Sequence, residues 1–502
     1  MRKISWREWR SAFWNQKTLT LPGIILSLAL LLLVVRLGIS LFEYARLARA
    51  ALAFPFPLDY GEGPMLDQTL GLAHFENIYR NSFASPPYTV SNYPPLFQSI
   101  QVPLAWIIGP AFWYGRLIST LSVVSAAVLV GLILHTLTGD RIASAIGGLT
   151  LLAFPHLLQA SVLNRVDALA LALSLGGLYV TVRWPSHRQG PWVAGLLFTA
   201  AAFTHSRYAL AAPLTALVWL WHLEQHREAF RLAAIVTGSC LGLFLSLNLI
   251  TQGGYYLNTV LANLISFSWQ KVIGYWINLY LHAGYLMIGC LIFIGIERLG
   301  EATRSWPLVM PYCLGAALTT LTVGMANSSV NDLFEAIAAL CLASGAFIAW
   351  AENYWLKSLL VFVLAMQINL LIDWSRQDYI PAIMNKVADT REVEQLAQYV
   401  QEAGWPILAD EYMGLIPLAG HRLYFQPFEY KQLQAAELWS EAPLLDSIQR
   451  EEFSLILLYE PPNWNAISTR WTEEVRNTIY AHYRLEDTLA RTFVYRPKSN
   501  PR

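Results

Sequence analysis

Long runs without charged residues are the feature that most constrains the fold of this chain. The first run, LPGIILSLALLLLVVRLGISLF at 21–42, carries Arg36 as its only charge. A helix of about 20 mostly apolar residues crosses the hydrocarbon core of a bilayer. The run is also longer than the roughly 7–15 residues of a signal-peptide core, so we expect a retained first span.

Similar runs recur along residues 1–375. They predict a mainly α-helical fold, a polytopic membrane bundle of about eleven spans. The predicted spans are 21–43, 112–137, 141–160, 165–184, 190–204, 207–223, 230–250, 274–297, 306–325, 333–350 and 355–373.

Composition agrees with this class. Only 14% of the 502 residues are charged, whereas ordinary soluble domains carry about 25%. The formal net charge is zero, so charge gives no reason to expect a nucleic-acid partner. The four cysteines lie in apolar segments without a CxxC pair, which is typical of small buried side chains.

Lysines and arginines in the short loops predict the orientation, because cytoplasmic loops carry an excess of them. With the N-terminus MRKISWREWRSAFWNQK in the cytoplasm, the inside loops are richer in these residues than the outside loops. An odd number of spans then puts the large loop at about 44–111 and the C-terminus outside.

Residues 376–502 differ sharply from the rest. Charges are frequent, and short apolar runs such as FSLILLYEP at 453–461 alternate with amphipathic stretches such as REVEQLAQYVQEAG. This pattern predicts a small soluble α/β domain. We expect it to be extracytoplasmic and to serve as a lid or an acceptor platform, with Asp410 and Glu411 as candidates for facing a cavity.

An acidic segment, FPFPLDYGEGPMLDQ at 54–68, follows the first span. Acids at a membrane boundary are costly unless solvated or paired, and they often mark functional sites. Gly61 lies between Asp59 and Glu62, so the backbone is free to turn tightly beside a ligand. Tyr93, within PPYTVSNYPPLF, adds a rigid aromatic surface suited to a sugar or an isoprenoid. Chemistry alone leaves a hydrated loop with ordinary surface charges as an equal alternative.

Three arginines and two further acidic segments lie at predicted helix ends. Arg165 and Asp167 in LNRVDALA form either a ligand site or an ion pair at a helix start. Arg116 is either a ligand or a snorkelling side chain. The remaining candidates are His205 and Arg207 in THSRYA, and Asp332 and Glu335 in SSVNDLFE. Helix capping is the alternative for Asp332, and a satisfied polar group is the alternative for His205.

Several motifs together resemble bacterial members of the GT-C class of membrane glycosyltransferases, to which protein O-mannosyltransferases and the lipid A aminoarabinose transferase belong. The motifs are DYGEG, NIYR, PPYTVSNYPPLF, GRLIS, RVDALALALSLGGLY, SSVNDLFE, PILADEYMGL and LYFQPFEY. The resemblance runs over nearly the whole chain and implies a protein of the bacterial cytoplasmic membrane, surrounded by membrane lipids.

The resemblance also implies a reaction and roles for the candidate residues. A sugar would pass from a polyprenyl-phosphate donor to a glycan, lipid or protein acceptor, with Asp59 as general base and Glu62 as the alternative. The donor phosphate would bind Arg165, Arg207 and Arg116. Substrate or a metal would be positioned by Asp167, Glu335, Asp332, Tyr93 and His205.

Cofactor use and the alternative functions stay open from the sequence. No established metal motif occurs, although acids in separate loops suit Mg²⁺ or Mn²⁺. The alternatives to an enzyme are a carrier (flippase) of lipid-linked glycan and a non-catalytic membrane subunit. Carriers place polar groups near the membrane midplane, whereas the charges here cluster at predicted outer helix ends. Convergence of Asp59, Glu62, Arg165 and Asp167 on one cavity would favour the enzyme.

Overall fold

The computed structural model describes residues 20–264, 267–296, 304–325, 330–461 and 465–499. The structure is dominated by helices, and a small sheet lies near the C-terminus. The helices are Leu21–Ala53, Glu62–Ala73, Leu96–Ile108, Trp113–Thr138, Arg141–Leu151, Pro155–Ala160, Asp167–Arg183, Gly190–Thr204, Ala211–His222, His226–Ile250, Gly254–Thr259, Trp269–Ile296, Trp306–Thr319, Phe334–Trp350, Tyr354–Trp374, Ile380–Ala388, Thr390–Glu402, Leu415–Leu418, Pro427–Ala435, Ala442–Gln449, Ala466–Arg470 and Glu473–His482.

Within the described residues, 7 helices are long and apolar enough to cross a membrane. They are Leu21–Ala53, Trp113–Thr138, His226–Ile250, Trp269–Ile296, Trp306–Gly324, Val330–Trp350 and Tyr354–Ala388. The other predicted spans coincide with the shorter helices between 141 and 222. The predicted class, a polytopic helix bundle with a small α/β part, is confirmed, while the number of spans stays a prediction.

The first helix shows why the bundle needs a bilayer. Leu28, Leu31 and Val34 are 61%, 59% and 61% exposed on one side of Leu21–Ala53. A continuous apolar face of this kind is stable against lipid and unfavourable in water. The basic segment 1–17, on which the predicted orientation depends, lies outside the described residues, so the orientation stays a prediction.

Four strands form one mixed sheet in the order β1-β2-β4-β3. The strands are β1 (Ile407–Ala409), β2 (Leu455–Tyr459), β3 (Tyr483–Leu489) and β4 (Thr492–Pro497). β1 and β2 run parallel, and the β3–β4 hairpin adds antiparallel to β2.

The central strand β2 is buried on both faces. Its successive side chains point to opposite faces of the sheet, so they pack against different hydrophobic clusters. Leu455 and Leu457 belong to the large hydrophobic cluster that also contains the membrane helices. Ile456 and Leu458 belong to a second cluster, which includes Tyr88 from the first large loop. The C-terminal part is therefore packed between the helix bundle and that loop.

Polar contacts fasten the first large loop to the C-terminal part. The Tyr88 N–H donates to the Tyr424 carbonyl at 2.6 Å, and the Gln426 N–H donates to the Tyr88 carbonyl at 3.0 Å. Asp67 accepts from Arg422 Nε at 2.9 Å and from Nη2 at 3.1 Å. These contacts bring residues more than 300 positions apart in sequence into one surface.

The predicted boundary between residues 375 and 376 falls inside a continuous helical segment. Tyr354–Trp374 passes through a π-helical turn at Ser375–Tyr379 into Ile380–Ala388. The sheet begins only at Ile407. The division into 1–375 and 376–502 stays a prediction.

Candidate functional site

The first long helix ends where the chain turns into the acidic segment. Leu21–Ala53 stops before Phe54, because the residue that precedes a proline is held away from helical backbone angles and Pro55 follows. Further on, the Asp59 carboxylate accepts from the Gly61 N–H at 2.7 Å, which closes a tight turn. The next helix, Glu62–Ala73, begins directly after this turn.

Asp59 is paired with Arg165, which lies just before helix Asp167–Arg183. Both carboxylate oxygens of Asp59 lie near Arg165 Nη2, at 2.9 and 2.8 Å. The two side chains are 25% and 23% exposed. A Cβ at Gly61 would stand 3.1 Å from Asp59 Oδ1 and 3.3 Å from Arg165 Nη2, so a glycine leaves room for the pair. The pair is closely packed and still open to a ligand.

Glu62 has a different environment from Asp59. Its fully buried side chain forms a two-point ion pair with Arg116, at 2.8 Å from Nε to Oε1 and 2.7 Å from Nη2 to Oε2. Its oxygens also accept from the Leu58 N–H at 2.7 Å and from the Asn164 N–H at 2.8 Å. Four donors therefore surround a carboxylate that has no contact with solvent.

The structure corrects the predicted role of Arg116 as a ligand of the donor phosphate. A guanidinium has five N–H donors. Two are directed to Glu62, and the others to the carbonyl oxygens of Ala51, Phe54 and Phe56 at 2.7, 2.5 and 2.6 Å. The fully buried Arg116 has no donor left for a phosphate and does not snorkel. It satisfies the carbonyl end of the first helix instead.

The Glu62–Arg116 pair also fixes the positions of Asp59 and Arg165. Leu58, whose N–H binds Glu62, immediately precedes Asp59. Asn164, whose N–H binds the same carboxylate, immediately precedes Arg165. One buried carboxylate therefore holds two distant loops side by side. Glu62 thus connects the two loops, and its alternative role as the base stays a prediction.

Arg165 and Asp167 line a cavity of about 340 Å³, which we call the first cavity. Tyr60 and Gly61 from the acidic turn and Tyr93 from the first large loop also belong to the lining, whereas Asp59 and Glu62 are not among the described residues that line it. Asp67, the third acid of the segment, lies elsewhere, in the contact with Arg422.

Arg207 and His205 line an adjoining second cavity of about 240 Å³. Asn92 and Tyr93 line both cavities, so these residues separate them. Arg207 forms an ion pair with Asp332. The predicted phosphate ligands Arg165 and Arg207 therefore lie on neighbouring cavities that share a wall.

The remaining predicted acids divide into two environments. Asp167 Oδ2 accepts from the Asn331 side-chain amide at 3.0 Å, and Oδ1 lies 3.8 Å from His205 Nε2. Glu335 is buried within its helix and accepts from the Ser174 hydroxyl at 3.3 Å. Glu335 is not among the residues that line either cavity in the described part of the chain. Asp167 is thus at the site, whereas Glu335 lies behind it.

Sequence reasoning missed the opposite side of the first cavity. It is formed by residues of the C-terminal part, which we call the C-terminal wall: Gln426, Phe428, Glu429, Thr469 and Arg470. The motif LYFQPFEY contributes only to the family resemblance, and the first turn of helix Pro427–Ala435 gives no local signal of a cavity. The contact with Tyr60 and Tyr88 that brings it there is entirely tertiary.

Asp410 and Glu411, the predicted cavity residues of this part, lie behind the wall. Asp410 accepts from the Tyr459 N–H and from the Trp471 indole, both at 3.0 Å, and is fully buried. Glu411 pairs with Lys386 and Arg470. Lys386 Nζ in turn donates to the Leu58 carbonyl at 2.8 Å. Glu411 therefore supports the wall residue Arg470 and connects it to the residue before Asp59.

The Glu411 network gives a prediction for stability against pH. Burial acts to raise the pKa of Glu411, but the charges of Lys386 and Arg470 outweigh it and lower that pKa from 4.5 to about 2. A carboxyl group whose pKa is lowered by folding stabilises the folded state at pH values above its unfolded-state pKa. This stabilisation is lost as the pH falls through the folded-state pKa. We expect the free energy of unfolding of wild type to exceed that of Glu411→Gln by about 3 kcal/mol near neutral pH. Roughly half of this difference should be lost by pH 3.

Unfolding of both proteins followed at pH values from 7 to 3 checks this prediction. Asp446→Asn, which removes a carboxylate from an exposed ion pair with Arg450, is the matched control and should unfold as wild type does across this range. A difference in free energy of unfolding between wild type and Glu411→Gln that stays constant or widens at low pH would contradict the lowered pKa of Glu411.

The described residues do not form an evident ligand set for the predicted Mg²⁺ or Mn²⁺. Among them, no group of three or more histidine, cysteine, aspartate or glutamate side chains is placed to hold a metal. Asp59 and Asp332 are each paired with an arginine. A divalent cation stays a prediction, and none of the steps proposed below depends on one.

Comparison with known proteins identifies the fold. The sequence matches no family model and no curated protein. ArnT from Cupriavidus metallidurans has the same architecture, both bound to undecaprenyl phosphate (12% identity) and in the apo state (11% identity). Each match has a TM-score of 0.60 and covers 92% of this chain and 97% of ArnT.

A second similar structure is the apo oligosaccharyltransferase of Archaeoglobus fulgidus, with a TM-score of 0.50 and 11% identity. This match covers 93% of the present chain and 74% of the oligosaccharyltransferase. At such identities the likeness concerns the fold. This chain has the GT-C fold of membrane glycosyltransferases, as its sequence motifs predicted.

Proposed function

We propose that this protein is a glycosyltransferase of the bacterial cytoplasmic membrane that transfers a sugar from a polyprenyl-phosphate donor to an acceptor on the extracytoplasmic side. The observation that carries the proposal is that Arg165 and Asp167 line one cavity, with Asp59 paired to Arg165, in a chain with the GT-C fold. These residues come from separate loops at helix ends, and Arg207 lies on the adjoining cavity.

Asp59 is the general base in this proposal. It is partly exposed and pairs with Arg165, which lines the first cavity, whereas Glu62 is enclosed by four donors. A base has to come within about 2.6–3.2 Å of the group it deprotonates. Asp59 meets the condition of access, and the buried Glu62 does not.

Arg165 links donor binding to the release of this base. A phosphate oxygen competes with the Asp59 carboxylate for the same guanidinium, because arginine binds both groups through similar geometry. When the donor phosphate binds Arg165, Asp59 is released toward the acceptor. Arg207, on the adjoining cavity, supplies a second positive charge near the departing phosphate.

The reaction then follows from these positions. Asp59 accepts the proton of the acceptor hydroxyl, and the hydroxyl oxygen forms a bond to the anomeric carbon of the sugar. The bond between that carbon and the phosphate oxygen breaks, and the electron pair leaves with the lipid phosphate. Arginine charge stabilises this leaving group, and attack from the face opposite the phosphate inverts the anomeric centre.

The test is turnover by the purified full-length chain in lipid nanodiscs. A panel of undecaprenyl-phosphate hexoses and pentoses, labelled in the sugar, is incubated with the protein and with empty nanodiscs. We expect at least one donor to lose its sugar to water or to an added acceptor, with release of undecaprenyl phosphate. Movement of intact donor across vesicle membranes without bond cleavage would favour the carrier instead. If neither cleavage nor transport is observed, the non-catalytic subunit is favoured.

A further inference from the structure

We propose that the C-terminal wall of the first cavity binds the acceptor, and that the acceptor presents a hydroxylated ring of the kind found in glycans. This inference rests on the proposed function and adds a substrate class to it. The wall comes from Gln426 and the first turn of helix Pro427–Ala435 and from the end of helix Ala466–Arg470.

Tyr60 is the point where this wall meets the acidic turn. The guanidinium carbon of Arg470 lies 4.7 Å from the centre of the Tyr60 ring. The Tyr60 hydroxyl donates to Glu429 Oε2 at 2.5 Å. The Phe428 ring stands edge-on to Tyr60 with centroids 6.4 Å apart. Because Tyr60 directly follows Asp59, a ligand held by these side chains lies beside the proposed base.

The donor and the wall belong to different parts of the chain. Arg165 and Arg207, the proposed ligands of the donor phosphate, lie in the segments that lead into the apolar helices Asp167–Arg183 and Ala211–His222. Gln426, Phe428 and Glu429 belong to the C-terminal part. The wall is therefore the portion of the lining that remains for a second substrate.

The side chains of the wall favour a hydroxylated ring. A sugar ring presents an apolar C–H face and hydroxyl groups that both donate and accept hydrogen bonds. Phe428 and Tyr60 offer flat apolar surfaces, Glu429 offers a carboxylate acceptor, and Arg470 adds a positive charge to the lining. A cavity of about 340 Å³ lies in the usual size range for a small-molecule site.

Two other acceptor classes fit less well. Peptides commonly bind by adding a strand to free backbone groups, but the backbone at Tyr424 and Gln426 is already paired with Tyr88. An acyl chain requires an uncharged lining, whereas Glu429 and Arg470 both line this cavity.

Ligand-observed saturation-transfer NMR on the full chain in nanodiscs tests the inference. The probes are methyl glycosides of hexoses and pentoses, with a short Ser/Thr peptide of similar size for comparison. We expect saturation transfer to at least one glycoside and none to the peptide. Glu429→Gln and Phe428→Leu should weaken the glycoside affinity about tenfold, while Asp446→Asn, in an exposed ion pair outside the cavity lining, should match wild type.

A second measurement avoids dependence on the folding of variants. A diazirine-bearing methyl glycoside is photolysed with wild-type protein, and the labelled peptides are identified by mass spectrometry. Labelling of 426–429 or 469–470 is the expected result. Labelling confined to other segments, binding of the peptide in preference to glycosides, or glycoside binding unchanged in both wall variants would overturn the inference.

Failure of the two proposals is distinguishable. If no polyprenyl-phosphate sugar is cleaved while glycosides bind at the wall, the transfer reaction is wrong and the ring-binding site stands. If donors are cleaved and glycosides bind elsewhere or not at all, the transferase stands and the acceptor site is wrong.

Discussion

Replacing Glu62 by glutamine is expected to destabilise the protein by about 3–5 kcal/mol, because it leaves the buried charge of Arg116 without its partner. Both side chains of this ion pair have no solvent exposure. Glutamine also replaces one carboxylate oxygen by an NH₂ donor, which faces either the Leu58 N–H or the Asn164 N–H. The substitution therefore disturbs both loops that hold the site.

Thermal unfolding in detergent, read by intrinsic tryptophan fluorescence, measures the effect. Asp446→Asn is the matched control, since it also removes one carboxylate charge from an ion pair with arginine. That pair is exposed, at 54% for Asp446 and 65% for Arg450, and exposed pairs contribute about 0.2–1 kcal/mol. Equal unfolding temperatures for Glu62→Gln and Asp446→Asn would show that the buried pair does not organise the fold.

Replacing Asp59 by asparagine is expected to lower the turnover of a polyprenyl-phosphate sugar by about 10²–10⁴-fold while the protein stays folded. General-base catalysis contributes an acceleration of this size. Asparagine keeps an oxygen that accepts from the Gly61 N–H, so the turn is preserved. It loses the negative charge and the capacity to take a proton.

Initial rates with a donor that wild type turns over, measured alongside unfolding temperature, check this prediction. Asp446→Asn again serves as the control and should retain wild-type rates. Asp59→Asn with normal turnover would remove Asp59 from the base role. Together with the preceding experiment, the comparison separates a residue that reacts from a residue three positions away that positions it.

The class of fold was readable from the sequence because it follows from local physics. Uncharged runs such as 21–42 have to be helical in a bilayer, where each backbone polar group needs an internal partner. The switch to short alternating runs after residue 376 likewise predicted the sheet, which forms between 407 and 497. The tight turn beside Asp59 was also located by its own residues, because Gly61 lies between Asp59 and Glu62. The first helix, however, ends at Ala53 and not at the predicted residue 43, and helix Glu62–Ala73 lies within the predicted loop.

The tertiary structure decided which charged residues are buried in ion pairs and which remain accessible to a ligand. Asp59, Glu62, Arg116 and Arg165 are equivalent in sequence as charged residues near helix ends. Only their packing shows that Glu62 and Arg116 enclose each other, while Arg165 lines a cavity and the partly exposed Asp59 pairs with it.

The same holds for the C-terminal wall. Phe428, Glu429 and Arg470 reach the site through contacts with Tyr60, which precedes them by more than 360 residues. Helical periodicity and hydropathy act over one turn or one span, so they determine where segments form and which face is apolar. Whether a charge is buried or accessible depends on the partners that the folded chain brings to it, and no local pattern contains that information.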